Sequence, residues 1–116
     1  MTEEIVTSAM QIILHAGDAR NACTQALSAI EENNFDLAEE KMKIATAEIT
    51  KAHQVQTDAI QAEAAGEKES QYSLLFAHAQ DTLMTIYSEI NIAKNMIKIF
   101  RSYEKRISQL EGKSNV

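Results

Sequence analysis

A chain of 116 residues suits one domain and is short for two, and its 17 acidic against 11 basic residues give a formal charge of −6. No basic stripe is available to neutralise a phosphate backbone, so nucleic acid is excluded as a partner; the acidic balance suits a partner with a basic face. Three glycines, no proline and an aromatic content of only 5% describe an all-helical chain with a thin core.

The first ten residues, MTEEIVTSAM, carry acids where a secretory signal carries bases. No apolar run approaches spanning length, so a cytoplasmic protein without direct membrane insertion is expected. Thr2 is placed to cap helix one, with Glu3 and Glu4 set favourably against its dipole. Ile5, Ala9, Ile12, Ala16, Ala19, Cys23, Ala26 and Ile30 then alternate steps of four and three, the spacing of one buried helical face. Cys23 is the single cysteine, which excludes an internal disulfide and suits a reducing compartment; on this line it reads as a small buried hydrophobe. Gly17 sits mid-helix, where glycine costs about 1 kcal/mol against alanine. Close approach of a neighbouring helix is the expected compensation, with a kink as the alternative.

The stretch ENNFD predicts a tight turn, with Asn34 as N-cap of helix two and Asp36 in its first turn. Ala38, Met42, Ala45, Ile49, Ala52, Gln56 and Ala59 form the second line. The break AAGEKES ends that helix, with Gly66 in the left-handed conformation and Ser70 capping helix three. Tyr72, Phe76, Ala79, Leu83, Ile86, Ile90, Ala93, Ile97 and Phe100 make the third line, and the helix is expected to reach Leu110 before a frayed tail over 111–116.

Short connections make neighbouring helices antiparallel, so residues 1–116 are expected to form a single domain: an up-down-up three-helix bundle with a long third helix. That helix carries further apolar residues, Leu74, Leu75, Ile92, Met96 and Ile99, beside its main stripe. So wide an apolar sector stays exposed in a monomer, and a cyclic oligomer built around helix three is the economical arrangement.

Within LLFAHAQDTLMTIY the pair His78 and Asp81 is the anomaly, because ionisable groups on a packing face cost stability unless paired, liganded or used. Four readings stand side by side. The pair is a half-exposed helix pair without chemistry; or His78 is a phosphoryl acceptor, its neutral imidazole nitrogen being a good nucleophile; or the two ligate a metal; or they belong to a hydrolase whose nucleophile the sequence does not place. No Glu-x-x-His pair or HExxH supports a preorganised metal site, and no glycine-rich phosphate loop is present. Any phosphate must therefore be delivered by another protein.

The segment LLFAHAQDTLMT resembles the active-site stretch of the enzyme IIA component of the lactose/cellobiose-type (chitobiose, β-glucoside) phosphoenolpyruvate-dependent sugar phosphotransferase system. IILHAGDAR, NNFDLAEEKM and AHQVQTDAIQAEAAGE are similar to three further family segments in the same order, so the resemblance spans nearly the whole chain. It implies a homotrimer and a phosphotransferase with a phosphohistidine intermediate. The phosphocarrier protein HPr donates, a cysteine of the IIB component accepts, and the system imports a β-linked disaccharide or β-glucoside. By position it implies that His78 is the phosphorylated residue, on Nε2, and that Gln80 orients the imidazole. It further implies that Asp81 gathers at the trimer axis around a divalent cation of the Mg²⁺ kind. Thr82 stands where the family often has a second histidine. No nucleotide is implied.

Leu74 and Leu75 are candidate partner-docking residues; Phe76, on the main stripe, is weighed equally as core. His53, within AHQVQT but one step past Ala52, reads as a hydrogen-bonded structural histidine, and His15 as a surface or packing residue. The basic run KIFRSYEKR reads as a solvated face. Two alternatives remain at this point. A non-catalytic helical adaptor explains the heptads but not the His78–Asp81 pair. A two-component histidine phosphotransfer domain usually has a basic residue and a glycine after its histidine, which AHAQDT lacks.

Overall fold

The computed structural model describes residues 2–66 and 73–114, in three helices: α1 (Glu3–Glu31), α2 (Phe35–Ala64) and α3 (Leu74–Ser114). Each start has a side-chain cap. Thr2 Oγ1 accepts from Ile5 N at 3.2 Å and Asn34 Oδ1 from Leu37 N at 3.1 Å, with Glu3, Glu4 and Asp36 in the first turns. The expected cap at Ser70 and the stripe position Tyr72 lie outside the described residues. At Leu74 it is Ser73 that caps, its Oγ accepting from Phe76 N at 3.1 Å while the residue itself is buried.

The α1–α2 turn closes by a device that residue type alone does not announce. Asn33 takes φ 59°, and Asn33 N and Asn34 N both donate at 2.9 Å, to Ile30 O and Ala29 O. This paired closure satisfies the last carbonyls of α1 with asparagine in the left-handed position that glycine usually fills. Gly66, at φ 75°, ends α2 as expected, and its N–H donates to Glu63 O.

The three lines meet in one core. α1 contributes Ala9, Ile12, Ala16, Ala19, Ala22, Cys23, Ala26 and Ala29; α2 contributes Ala38, Met42, Ala45, Ile49 and Ala52; α3 contributes Ala79, Leu83, Ile86, Ile90, Ala93 and Ile97. The outer members of the expected lines, Ile5, Ile30, Gln56 and Ala59, are half-buried. Arg20 ties α1 to α3 through two guanidinium nitrogens, its Nε and Nη2 each 3.0 Å from the Glu89 carboxylate.

Three expectations need correction. Phe100 is 42% exposed, because the bundle ends beside it: Arg101 pairs with Glu39 and lies 5.0 Å over the ring of Phe35, the first residue of α2. The last turns of α3 project past the neighbouring helices, and the helix extends beyond its expected end at Leu110. The helix runs to Ser114, through Gly112, since no proline or capping break interrupts its hydrogen-bond ladder. Finally, a Cβ built on Gly17 meets nothing within 4 Å, so no close helix approach compensates this glycine inside the protomer, and α1 continues through it.

Ser73 holds the entry of the helix that carries the anomalous pair, and its cap is buried. Ser73→Ala is expected to lower the unfolding free energy by about 1 kcal/mol, read by urea denaturation at fixed protein concentration.

Candidate functional site

α3 presents two faces. The core line of Ala79, Leu83, Ile86 and Ile90 looks inward; at 100° per residue, Leu74, His78, Asp81, Thr85, Ile92, Met96 and Ile99 lie roughly opposite it. This outward line is apolar and uncovered in the protomer, with Leu74 at 73%, Ile92 at 57% and Ile99 at 52% exposure, and it continues through Tyr103 and Leu110. His78 and Asp81 are both exposed, one turn apart within it. Among the described residues neither side chain has a hydrogen-bond or ion-pair partner.

The imidazole of His78 is thus fixed to a long helix with its ring nitrogens open. Thr82 is one turn along, but its hydroxyl donates to the His78 carbonyl oxygen at 2.9 Å. It is committed to its own helix backbone and not to the ring, so it does not reproduce a histidine there. Gln80 is half-buried and, two residues from His78, some 200° around the helix. The fold does not bring it to the imidazole of its own chain. Leu74 stands free beside the site, whereas Leu75 and Phe76 are half-buried and pack against the core.

The other histidines are engaged elsewhere. His53 meets Tyr87 edge to face, ring centroids 4.8 Å apart at 82°, and so joins α2 to α3. Tyr87 is nine residues beyond His78 and on the reverse side of α3. His53 Nε2 and the nearby Gln56 Oε1 are buried without a protein partner, so the hydrogen bond expected of this histidine is replaced by ring packing. The sequence signal for this contact, a histidine just off the α2 stripe, identifies the half-buried residue but not its aromatic partner. His15 Nδ1 lies 2.8 Å from Glu48 Oε2, a bond between α1 and α2 that surface placement alone does not foretell.

Asp81 belongs to no cluster of metal-ligating side chains within one chain, among the described residues. It offers a single carboxylate per protomer on an uncovered face, which fits a cation only where copies of the chain bring several such carboxylates together.

Comparison with known proteins places this three-helix chain, whose longest helix carries a free histidine and aspartate on its outer apolar line. Residues 7–101 match the family model described as the lactose/cellobiose-specific IIA subunit of the phosphotransferase system, and the chain belongs to that family. It is 39% identical to the lichenan-specific phosphotransferase enzyme IIA component of Bacillus subtilis, over 98% of this chain and 99% of that one. It is 40% identical to the lactose-specific EIIA component of Lacticaseibacillus casei, over 96% and 95%. The crystal structure of the cellobiose-specific enzyme IIA from Bacillus anthracis superposes with a TM-score of 0.82 at 35% identity, covering 90% of this chain and 94% of the other. The chain is therefore a phosphotransferase-system component with a phosphoryl-carrier role, which sets aside the adaptor and two-component alternatives. No helix among the described residues is long and apolar enough to cross a membrane.

Because His53 and Tyr87 face away from His78, their contact is structural. A double-mutant cycle between His53→Ala and Tyr87→Ala is expected to show a coupling of about 1 kcal/mol in stability. His53→Ala should meanwhile accept phosphate at the wild-type rate.

Proposed function

We propose that His78 accepts a phosphoryl group from the phosphohistidine of HPr and passes it to a cysteine of a IIB component, in the cytoplasm. The observation that carries this reading is the free, exposed imidazole of His78 in the one segment of the chain that matches the family's active-site pattern. In the first transfer a ring-nitrogen lone pair of His78, on Nε2 by family likeness, forms the new P–N bond in line as the donor's P–N bond breaks. In the second, the IIB thiolate takes the phosphorus and the electron pair returns to His78. Such transfers pass through loose transition states that need position more than covalent help, which a nucleophile on a rigid helix supplies. Leu74 offers apolar area for the docking partner. Gln80, implied by family likeness as an orienting group, can serve only the imidazole of another copy in the trimer.

The exposed line of α3 supports a trimer packed about that line, with His78 at its seam. Three Asp81 carboxylates brought to one axis cannot all stay ionised in a poorly solvated space without a counter-charge. Oxygen-only ligands would suit a hard divalent cation such as Mg²⁺, whose chemistry there is charge neutralisation and not catalysis. The relatives named for lichenan, lactose and cellobiose support a β-linked disaccharide or β-glucoside as the cargo of the system.

His78→Ala is expected to take up no phosphate from phosphorylated HPr, while His15→Ala and His53→Ala still do; stable labelling of the His78→Ala protein overturns the assignment. Light scattering should give about three times the 12.9 kDa chain mass. Asp81→Leu should form a trimer at least as stable as the wild type, since apolar contact replaces a charge cluster. Chelation should lower the melting temperature of the wild type alone. Monomeric Asp81→Leu, or equal response of both proteins to chelator, refutes the axis arrangement.

A further inference from the structure

A second cluster of ligating side chains stands apart from His78, between α1 and α2. His15 and Asp18 lie one turn apart on α1, and Glu48 reaches across from α2. One imidazole nitrogen and one oxygen from each carboxylate all lie within 4.8 Å of one another. His15 Nδ1 and Lys51 Nζ engage the two oxygens of Glu48, at 2.8 and 3.0 Å. These bonds hold the Glu48 carboxyl below its ordinary range, so it is an anion near neutrality. Asp18 is exposed and, among the described residues, has neither a hydrogen-bond nor an ion-pair partner. Two carboxylates thus share one ammonium, and with a neutral imidazole the cluster is short of positive charge.

We propose that His15, Asp18 and Glu48 bind one borderline divalent transition ion per protomer, with Zn²⁺ the ion to test. Nitrogen with two carboxylate oxygens is a donor set such ions accept, leaving a fourth position to water, whereas Mg²⁺ prefers oxygen alone. Ligand bonds of about 2.0–2.2 Å place neighbouring donors about 3.5 Å apart, inside the span already present. The His15–Glu48 contact opens slightly, and the exposed Asp18 turns inward by a change of rotamer. With Glu48 ionised, Nδ1 carries the hydrogen in the metal-free pair. Coordination at Nδ1 moves that hydrogen to Nε2 in a neutral ring, or releases it to solvent from a charged one. The bound ion ties α1 to α2, and the site is independent of the phosphoryl relay and of Asp81.

The test is isothermal titration of the chelator-stripped, full-length protein with Zn²⁺ at neutral pH, in the wild type and in His78→Ala. Both should bind Zn²⁺, with one ion per chain once Asp81→Leu is added to His78→Ala to remove the proposed axis site. Adding His15→Ala or Glu48→Gln should weaken that binding by roughly tenfold or more, since losing even an outer-shell partner costs that much. Lys51→Ala should bind as tightly or more tightly, because a competing ammonium is removed. Metal-free thermal melts establish that each variant is folded. The proposal is overturned if His15→Ala binds with unchanged affinity, if binding vanishes in His78→Ala or Asp81→Leu, or if the stripped protein takes up no Zn²⁺.

Discussion

The scarcity of bulk in the core governs this molecule. Six of the eight buried residues of α1 and three of the five of α2 are alanine, and the only large side chains wholly removed from solvent are Ile12, Leu83, Ile86 and Ile90, among the described residues. Alanine lets helices approach closely and costs no rotamer entropy, but each methyl contributes little transfer free energy. A core of this kind takes in Leu83, Ile86, Ile90 and Ile97 of α3 but not its other large apolar groups. They are carried on its other face, where Leu74, Ile92, Met96 and Ile99 remain in water until something covers them.

The same scarcity accounts for the placement of His78 and Asp81. A histidine and an aspartate buried among alanines would each need a partner, and the close helices leave no space for one. On the outer line the two groups are solvated in the isolated protomer, and the imidazole stays open to a docking protein. The same helix that exposes so much apolar surface therefore also carries these two polar residues. Its rigidity comes from the inner face, and its accessibility comes from the outer one. The bond from Thr82 to the His78 carbonyl adds local tethering without occupying either ring nitrogen.

How much of this is legible in the sequence depends on the range of the interaction. The three apolar lines, the caps at Thr2 and Asn34 and the left-handed Gly66 all derive from residue type at fixed spacing, and the structure contains them over the described residues, Phe100 apart. Asn33 escapes such a reading because asparagine takes positive φ only where the chain geometry demands it, whereas glycine announces it. Phe100 departs from its stripe because a stripe has no signal for where the neighbouring helices stop. Gly17 lacks, within the protomer, the close neighbour that its position suggests. The His53–Tyr87 and His15–Glu48 contacts join residues more than 30 positions apart, and a single sequence contains no information on such pairing. His78 and Asp81 stand out by contrast with their apolar surroundings; Gln80 is adjacent to them in sequence, and helical geometry turns it away.

Cys23 has a practical consequence. It is the only cysteine, it is buried, and burial together with the nearby Glu89 carboxylate raises its thiol above the ordinary value. Thiolate is the species that alkylating and disulfide-forming reagents attack, so this sulfur is doubly shielded, by lack of access and by lack of charge. The native thiol is consequently expected to react slowly with maleimides and spin labels. Thiols introduced along the outer line of α3, at the exposed Thr85 for example, would react ahead of it, without first removing a native residue.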